Sequence, residues 1–223
     1  MNKLWNASNF ASNVILSGAK DPGFFASAQN DKVAEPLDLW ILTRLRRAVE
    51  KATKEFEQFE YCDARVAIEY FFWNDFCDNY LELVKARAYN ENGSNPKGQQ
   101  SALYAIYHCL EGLLRLFAPF VPHITEELYS HIFDDKFAAT GSVHARGNWP
   151  LASAYPYDEK AEKLGMAAVD ILNLIRKAKS EANVSIKYPV EKVTIKPNDA
   201  AFEWKALEQI WPDVKAAGSV DEM

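Results

Sequence analysis

The sequence has few cysteines and lacks the long apolar runs of membrane proteins and the paired cysteines of disulfide-rich and zinc proteins. Its three cysteines, Cys62, Cys77 and Cys109, form no C-x-x-C pair. They therefore indicate neither a disulfide framework nor a zinc knuckle, and we expect buried free thiols. No apolar run approaches the roughly 18 residues of a membrane span, and the chain does not open on a basic segment followed by an apolar stretch. These absences predict a cytoplasmic protein that binds no membrane.

Catalytic signatures are also missing. The chain contains no Walker A, G-x-G-x-x-G, G-x-S-x-G or H-E-x-x-H motif. His108 precedes Cys109, but neighbouring helical residues diverge by about 100° and cannot form a nucleophile-base pair on one face. Glu126 and Glu127 are better explained as charges at the start of a helix, where the dipole favours them. We predict no catalytic residue, metal or cofactor in this chain.

Apolar residues at spacings of three and four predict five helices in about the first 135 residues. Short connections between most of them indicate a helix bundle. A polar, turn-rich loop at 19–35 is expected to lie on the surface. The helices are predicted from the chain start to about Gly18, from Pro36 to about Phe56, from about Cys62 to Tyr89, from about Leu103 to Phe117, and from Pro122 to about Phe133.

The pattern changes in the last third of the chain. We predict an extended wrap at 136–157, a long helix at 160–182, a strand in "VEKVTIK" and a short helix at 200–211. A lone strand is not stable, so this unit is either cut short or completed by a partner strand. The expected fold is mainly α, with a bundle at 1–150 and a small, truncated α/β appendage at 158–223.

The charge distribution limits how the chain can bind a polyanion. Its formal charge is -6, which argues against a general nucleic-acid coat. Residues 160–196 nevertheless carry about twice as many basic as acidic side chains, so a polyanion would bind a local patch. In "NKLWNASNF", rings stand beside amides, a combination that reads unpaired bases. Aromatic residues at helical spacing are more often core, and both interpretations remain open on composition alone.

Several ordered motifs resemble one family, the region that follows the catalytic domain of class I valyl-tRNA synthetases. That family has N-K-L-W-N-A-x-R-F, D-x-W-I-L-S-R-L, F-x-W-x-x-F-C-D-W-Y-L-E and P-F-M-P-F-I-T-E-E-x-W in this order. The matching stretches here are "NKLWNASNF" at 2–10, "DLWILTRL" at 38–45, "FFWNDFCDNYLELVK" at 71–85 and "APFVPHITEELY" at 118–129, followed by "NWP" and "IRKAKSEANV". The F-C-D-x-Y-L-E stretch points to the valyl branch.

The resemblance implies a tRNA anticodon-binding surface. Carried over by position, Phe10 would stack on an anticodon base, and Leu81 and Glu82 would lie beside the middle base. Asn6 belongs to the same implied surface, and Asn9 stands where the family has an arginine. Two further positions bear on this surface: Asn79 replaces a family tryptophan, and Trp5 is expected to pack inside the bundle.

The resemblance also implies partners for the chain. These are valine-specific tRNA and a catalytic domain of the same parent chain, which would bind ATP and magnesium; this region would bind none itself. We expect a monomer, without activity of its own, that opens just past that catalytic domain. The alternatives are the same domain of an isoleucyl- or leucyl-tRNA synthetase, or a helical protein-interaction module that is indifferent to RNA.

Overall fold

Helices form most of the chain in the computed structural model, which describes residues 2–18, 33, 35–133, 138–196 and 204–222. The helical elements are α1 (Asn2–Gly18), α2 (Pro36–Glu57), α3 (Tyr61–Tyr70), a π-helix (Phe71–Tyr80), α4 (Leu81–Tyr89), α5 (Pro96–Phe117), α6 (Pro122–Ile132), a 3-10 turn (Ala152–Ala154), α7 (Glu159–Glu181), α8 (Trp204–Leu207) and α9 (Trp211–Gly218). The strands are β1 (Val190–Lys192) and β2 (Val220–Glu222), which pair in parallel.

The helix starts follow from local sequence. A proline stands in the first turn of α2, α5 and α6, where its missing N–H costs no hydrogen bond. The Asn95 side chain caps α5 by accepting from the Gly98 N–H at 2.9 Å, and Asp158 caps α7 through the Ala161 N–H at 2.9 Å. Each cap satisfies a backbone donor that the helix leaves free.

The core lies where α2, the π-helix, α5 and α7 meet. Trp40 and Leu45 of α2 are almost completely buried there. Gly165 brings α7 close to α2, because a Cβ at this position would overlap the Trp40 ring. The mainly α architecture with a small α/β unit confirms the predicted fold class. The boundary between bundle and appendage stays a prediction, and α7 and α9 both pack on bundle helices.

The five bundle helices are confirmed, with a difference in the third and in the fourth, which begins at Pro96 and not at about Leu103 as predicted. The middle of the third, Phe71–Tyr80, is a π-helix, in which the Leu81 N–H donates to the carbonyl of Phe76, five residues back. The residues described within the predicted wrap form turns and bends, with short helical turns at 138–140 and 152–154. The predicted loop at 19–35 lies almost entirely outside the described residues.

The predictions for the appendage and for the cysteines need correction. The predicted helix at 200–211 is confirmed only at Trp204–Leu207 (α8), because a turn follows and α9 begins at Trp211. The predicted strand is confirmed only at Val190–Lys192, and β2 of the same chain supplies its partner. Cys62 is exposed and Cys77 half-buried, so burial is confirmed only for Cys109, whose thiol pKa is raised by that burial and by the Asp38 charge.

Candidate nucleic-acid interface

Helix α4 has one exposed face and one buried face. Glu82, Lys85 and Tyr89 follow at steps of three and four residues and therefore share the outer face. The inner face packs into the core or is otherwise buried, through Leu81, Leu83, Val84, Arg87 and Ala88. The outer face meets α1, which also packs on α5.

Lys85 of α4 contacts both Phe10 of α1 and Glu82 of α4. The Lys85 ammonium stands over the Phe10 ring, 5.8 Å from its centroid, and lies 3.6 Å from the Glu82 carboxylate. Phe10 is half-buried and packs partly against the core. The structure thus places two of the predicted site residues on one continuous surface, although α2 and α3 separate them in the sequence.

The other predicted positions behave differently. Asn6 and Asn9 are exposed on α1 and, with Asn13, form a row of amides at steps of three and four residues. Sequence reasoning missed Asn13, although its spacing from Asn9 was visible in the printed sequence. Leu81 is only 6% exposed and packs in the core, which leaves its side chain little surface for a base. Trp5 is 44% exposed, so the expectation that it packs inside the bundle is wrong.

A cleft of about 930 Å³ runs beside this surface, between α4, the loop at 90–95, α7 and α9. Lys85 and Tyr89 line it from α4, and Arg176 and Lys187 line it from the appendage side. Three of these four side chains are basic, and Glu82, Glu91 and Asp213 also contribute to the lining. The cleft is therefore mixed in charge, with cations on both of its walls.

Asn79 has a clear role at the edge of the cleft. Its side-chain oxygen accepts a hydrogen bond from Arg176 Nη1 at 3.2 Å, while Arg176 Nη2 donates to the Asp78 carbonyl at 3.0 Å. The Asn79 amide also donates to the Asn74 carbonyl at 2.7 Å. The asparagine that replaces the family tryptophan therefore joins the π-helix to α7.

A buried polar cluster supports α4 from its inner face. Arg87 makes a two-pronged contact with Asp38, at 2.8 and 2.9 Å, and its Nε donates to Asp213 at 3.0 Å. Tyr80 donates to Asp38 at 2.7 Å, and Arg87 Nη1 donates to the Gly98 carbonyl at 2.8 Å. Because Asp213 belongs to α9, this cluster fastens the appendage to the bundle.

In this cluster, burial and the neighbouring charges shift the pKa values of Arg87 and Asp213 in opposite directions. Burial alone would lower the pKa of Arg87, but Asp38 and Asp213 raise it well above its ordinary value, so the guanidinium stays charged. Burial raises the pKa of Asp213, and the Arg87 charge counteracts this only in part. Burial likewise raises the pKa of Tyr80, which therefore remains a hydrogen-bond donor.

The C-terminal end of α4 is held by several hydrogen bonds. The Gln99 amide donates to the carbonyls of Ala88 at 3.0 Å and Tyr89 at 3.2 Å. Asn90 adopts a left-handed conformation with φ of 44°, and its side chain accepts from the Asn95 N–H at 3.0 Å. These contacts define the position of Tyr89 and of the polar loop behind it.

A metal-binding cluster and a membrane-spanning helix are both absent from the described ranges. In those residues no three His, Cys, Asp or Glu side chains are grouped so that they could hold a metal ion. None of the helices in the same part of the chain combines the length and the apolar character needed to cross a bilayer.

Comparison with known proteins identifies the family of the chain. The model of the family described as the anticodon-binding domain of tRNA ligase matches residues 38–195. The chain is 44% identical over 196 residues to a valine-tRNA ligase of Wolbachia sp. subsp. Brugia malayi, which covers 88% of the chain and 21% of that relative. It is 43% identical over 208 residues to the valine-tRNA ligase of Anaplasma marginale, covering 93% of the chain and 23% of the relative.

A third relative extends the match over the whole chain. The valine-tRNA ligase of Rickettsia felis is 39% identical over 225 aligned residues, covering 100% of the chain and 25% of the relative. The chain thus spans a quarter or less of the length of these curated relatives. Since the family model covers more than half of the sequence, the chain belongs to the family of anticodon-binding domains of tRNA ligases.

Proposed function

We propose that this chain recognises the anticodon of valine tRNA, as the non-catalytic part of a valine-tRNA ligase. The observation that carries the proposal is the exposed surface on which Phe10, Lys85 and Glu82 meet. It combines a ring for stacking, a cation and a carboxylate that accepts hydrogen bonds from a base edge. The amides of Asn6 and Asn9 extend this surface along α1.

The remainder of the enzyme belongs to the same proposal. A ligase that joins valine to its tRNA needs a catalytic domain with ATP and magnesium, and we assign these to the part of the parent protein outside this chain. The relatives that match along most of the chain are named as valine-tRNA ligases, which favours the valyl branch over the isoleucyl and leucyl ones. We further propose that the parent works in the cytoplasm as a monomer.

Binding of an anticodon stem-loop tests the proposal. The wild-type chain should bind the valine-tRNA stem-loop more tightly than one with a scrambled anticodon, and its affinity should fall as salt is raised. One stacked base is worth about 1–3 kcal/mol, so removing a ring of this surface, as in Phe10→Ala, should weaken binding by up to that amount. Fluorescence anisotropy at two salt concentrations measures both effects.

Two variants serve as controls for folding and for position. Phe10 packs partly against the core, so Glu82→Gln, at an exposed position, tests recognition with little risk to folding. Tyr70→Ala removes an exposed ring from α3, away from this surface, and should leave binding unchanged. Equal affinity of the wild type for both stem-loops would refute anticodon recognition and would favour the protein-interaction alternative.

A further inference from the structure

We propose that Tyr89 is the principal stacking ring of this surface and that Phe10 supports it from the side. This inference rests on the proposed function and names a residue that the family motifs do not contain. It concerns how one unpaired base is held beside α4.

The exposed area of the two rings differs. Tyr89 is 40% exposed and lines the cleft, so part of its side chain is open to a ligand. Phe10 is half-buried, packs partly against the core and has the Lys85 ammonium over its ring. A base that stacks on Phe10 must displace that lysine, whereas a base that stacks on Tyr89 need not.

The relative orientation of the rings suits this division. Their centroids are 6.0 Å apart and their planes lie at 81°, so one ring meets the other edge-on. Such a contact holds the Tyr89 ring in place and covers at most one of its two faces. Because Gln99 binds the carbonyl of Tyr89, the backbone below the ring is also held, and little order has to be gained on binding.

Groups that can read a base edge lie beside Tyr89. Asn90, Asn92 and Asn95 of the following loop line the same cleft, as do Lys85 and Glu82 of α4. Hydrogen bonds within the loop, such as that from Ser94 to Asn92 at 2.7 Å, order it before a ligand arrives. An aromatic ring flanked by amides and a cation is the arrangement that binds single-stranded RNA.

The test uses valine-tRNA stem-loops in which 2-aminopurine replaces each anticodon base in turn, with this chain and its Tyr89→Ala, Tyr89→Phe and Tyr70→Ala variants. Stacking quenches 2-aminopurine fluorescence, so the wild type should quench one position. Tyr89→Phe keeps the ring and should keep both the quenching and an affinity within about twofold of the wild type. Tyr89→Ala should abolish the quenching and weaken binding by about fivefold to 150-fold.

Tyr70→Ala controls for the loss of an exposed ring elsewhere and should match the wild type. Urea unfolding of each variant, compared at equal folded fraction, separates lost stacking from lost folding. If the wild type discriminates between anticodons while Tyr89→Ala quenches and binds like it, this inference is wrong and the proposed function stands. If the wild type binds all anticodons equally, the proposed function itself fails.

Discussion

Both faces of α4 carry an ion pair between a basic and an acidic side chain, but one pair is buried and the other is exposed to solvent. On the inner face, Arg87 is paired with Asp38 and Asp213, and these three side chains are between 0% and 12% exposed. On the outer face, Lys85 is paired with Glu82 at 3.6 Å, with both side chains about half exposed. A single residue, Ala86, separates the two cations in the sequence.

Burial decides whether an ion pair mainly stabilises the fold or remains available to a ligand. A pair in water adds little to stability, because solvent and salt screen it, and its members remain free to exchange partners. A buried cation that loses its partners leaves an uncompensated charge in the interior, which is strongly destabilising. The inner face therefore holds α4 in place, and the outer face remains available for a ligand.

The largest expected effect is on the inner face. Arg87→Met should reduce the free energy of unfolding by about 3–5 kcal/mol, because it leaves Asp38 charged and buried without its main partner. Urea denaturation followed by circular dichroism measures the loss. The double variant Asp38→Asn with Arg87→Met should recover part of it, and a single variant as stable as the wild type would contradict this account.

A smaller effect is expected where the cluster reaches the appendage. Asp213→Asn should cost about 1–2 kcal/mol, because burial already raises the pKa of this carboxyl and so offsets part of the pairing. Amide hydrogen exchange should speed up in α9 first, since Asp213 joins that helix to α4. Equal acceleration throughout the bundle would show that Asp213 does not act locally.

A third group of ion pairs joins α7 to α2, and we expect its effect on stability to lie between those of the buried Arg87 cluster and the exposed Lys85–Glu82 pair. Glu162 accepts hydrogen bonds from Arg47 Nη2 at 2.6 Å and from Arg44 Nη1 at 3.3 Å. Burial alone would raise the pKa of Glu162, but the two arginines lower it below the ordinary value of 4.5. The stabilisation is therefore fully present above pH 4.5 and is lost as the pH falls through the lowered pKa.

Glu162→Gln tests this pH dependence. The variant should lose about 1 kcal/mol at pH 7 and should lose less further stability than the wild type between pH 5 and pH 3. Urea midpoints across this range measure the difference, with Glu159→Gln on the exposed first turn of α7 as the control. Parallel curves for wild type and Glu162→Gln would rule out a contribution of this carboxylate.

The smallest effect on stability is expected on the outer face. Lys85→Ala should change the free energy of unfolding by less than about 0.5 kcal/mol, since its contacts with Glu82 and the Phe10 ring are exposed. Thermal unfolding checks this directly against Arg87→Met. A large loss in Lys85→Ala would mean that the outer face is structural, and the contrast between the two faces would disappear.

Local patterns in the sequence were sufficient for most of the helices. Pro36 and Pro122 mark helix starts, and helical spacing of apolar residues marks the core faces. The start of α5 at Pro96 was missed, because Gly93, Pro96 and Gly98 together are typical of a turn. The π-helix could not be read in this way, because the same residues fit an ordinary α-helix until packing selects the wider turn. The strand Val220–Glu222 was missed because three residues carry no periodic signal without their partner.

Some features of the candidate site could be named from the sequence, and others required the structure. Phe10 and Glu82 were named from motif resemblance, and the assignment of both to an RNA surface stays a prediction. The exposure of Trp5, the burial of Leu81 and the position of Tyr89 depended on neighbours distant in the sequence. Each of these features depends on how several helices pack together, so no single stretch of sequence could reveal it.

Local sequence was enough to predict the helical class and most helix boundaries, because propensity, caps and apolar spacing act over a few residues. Its ordered motifs also revealed the family resemblance. Packing, by contrast, sets which face of α4 is buried and which rings are open. It also pairs Arg87 with Asp213 and places Phe10 against Tyr89 and Lys85. These contacts join residues far apart in the chain, and only the packing of the helices brings them within reach of one another.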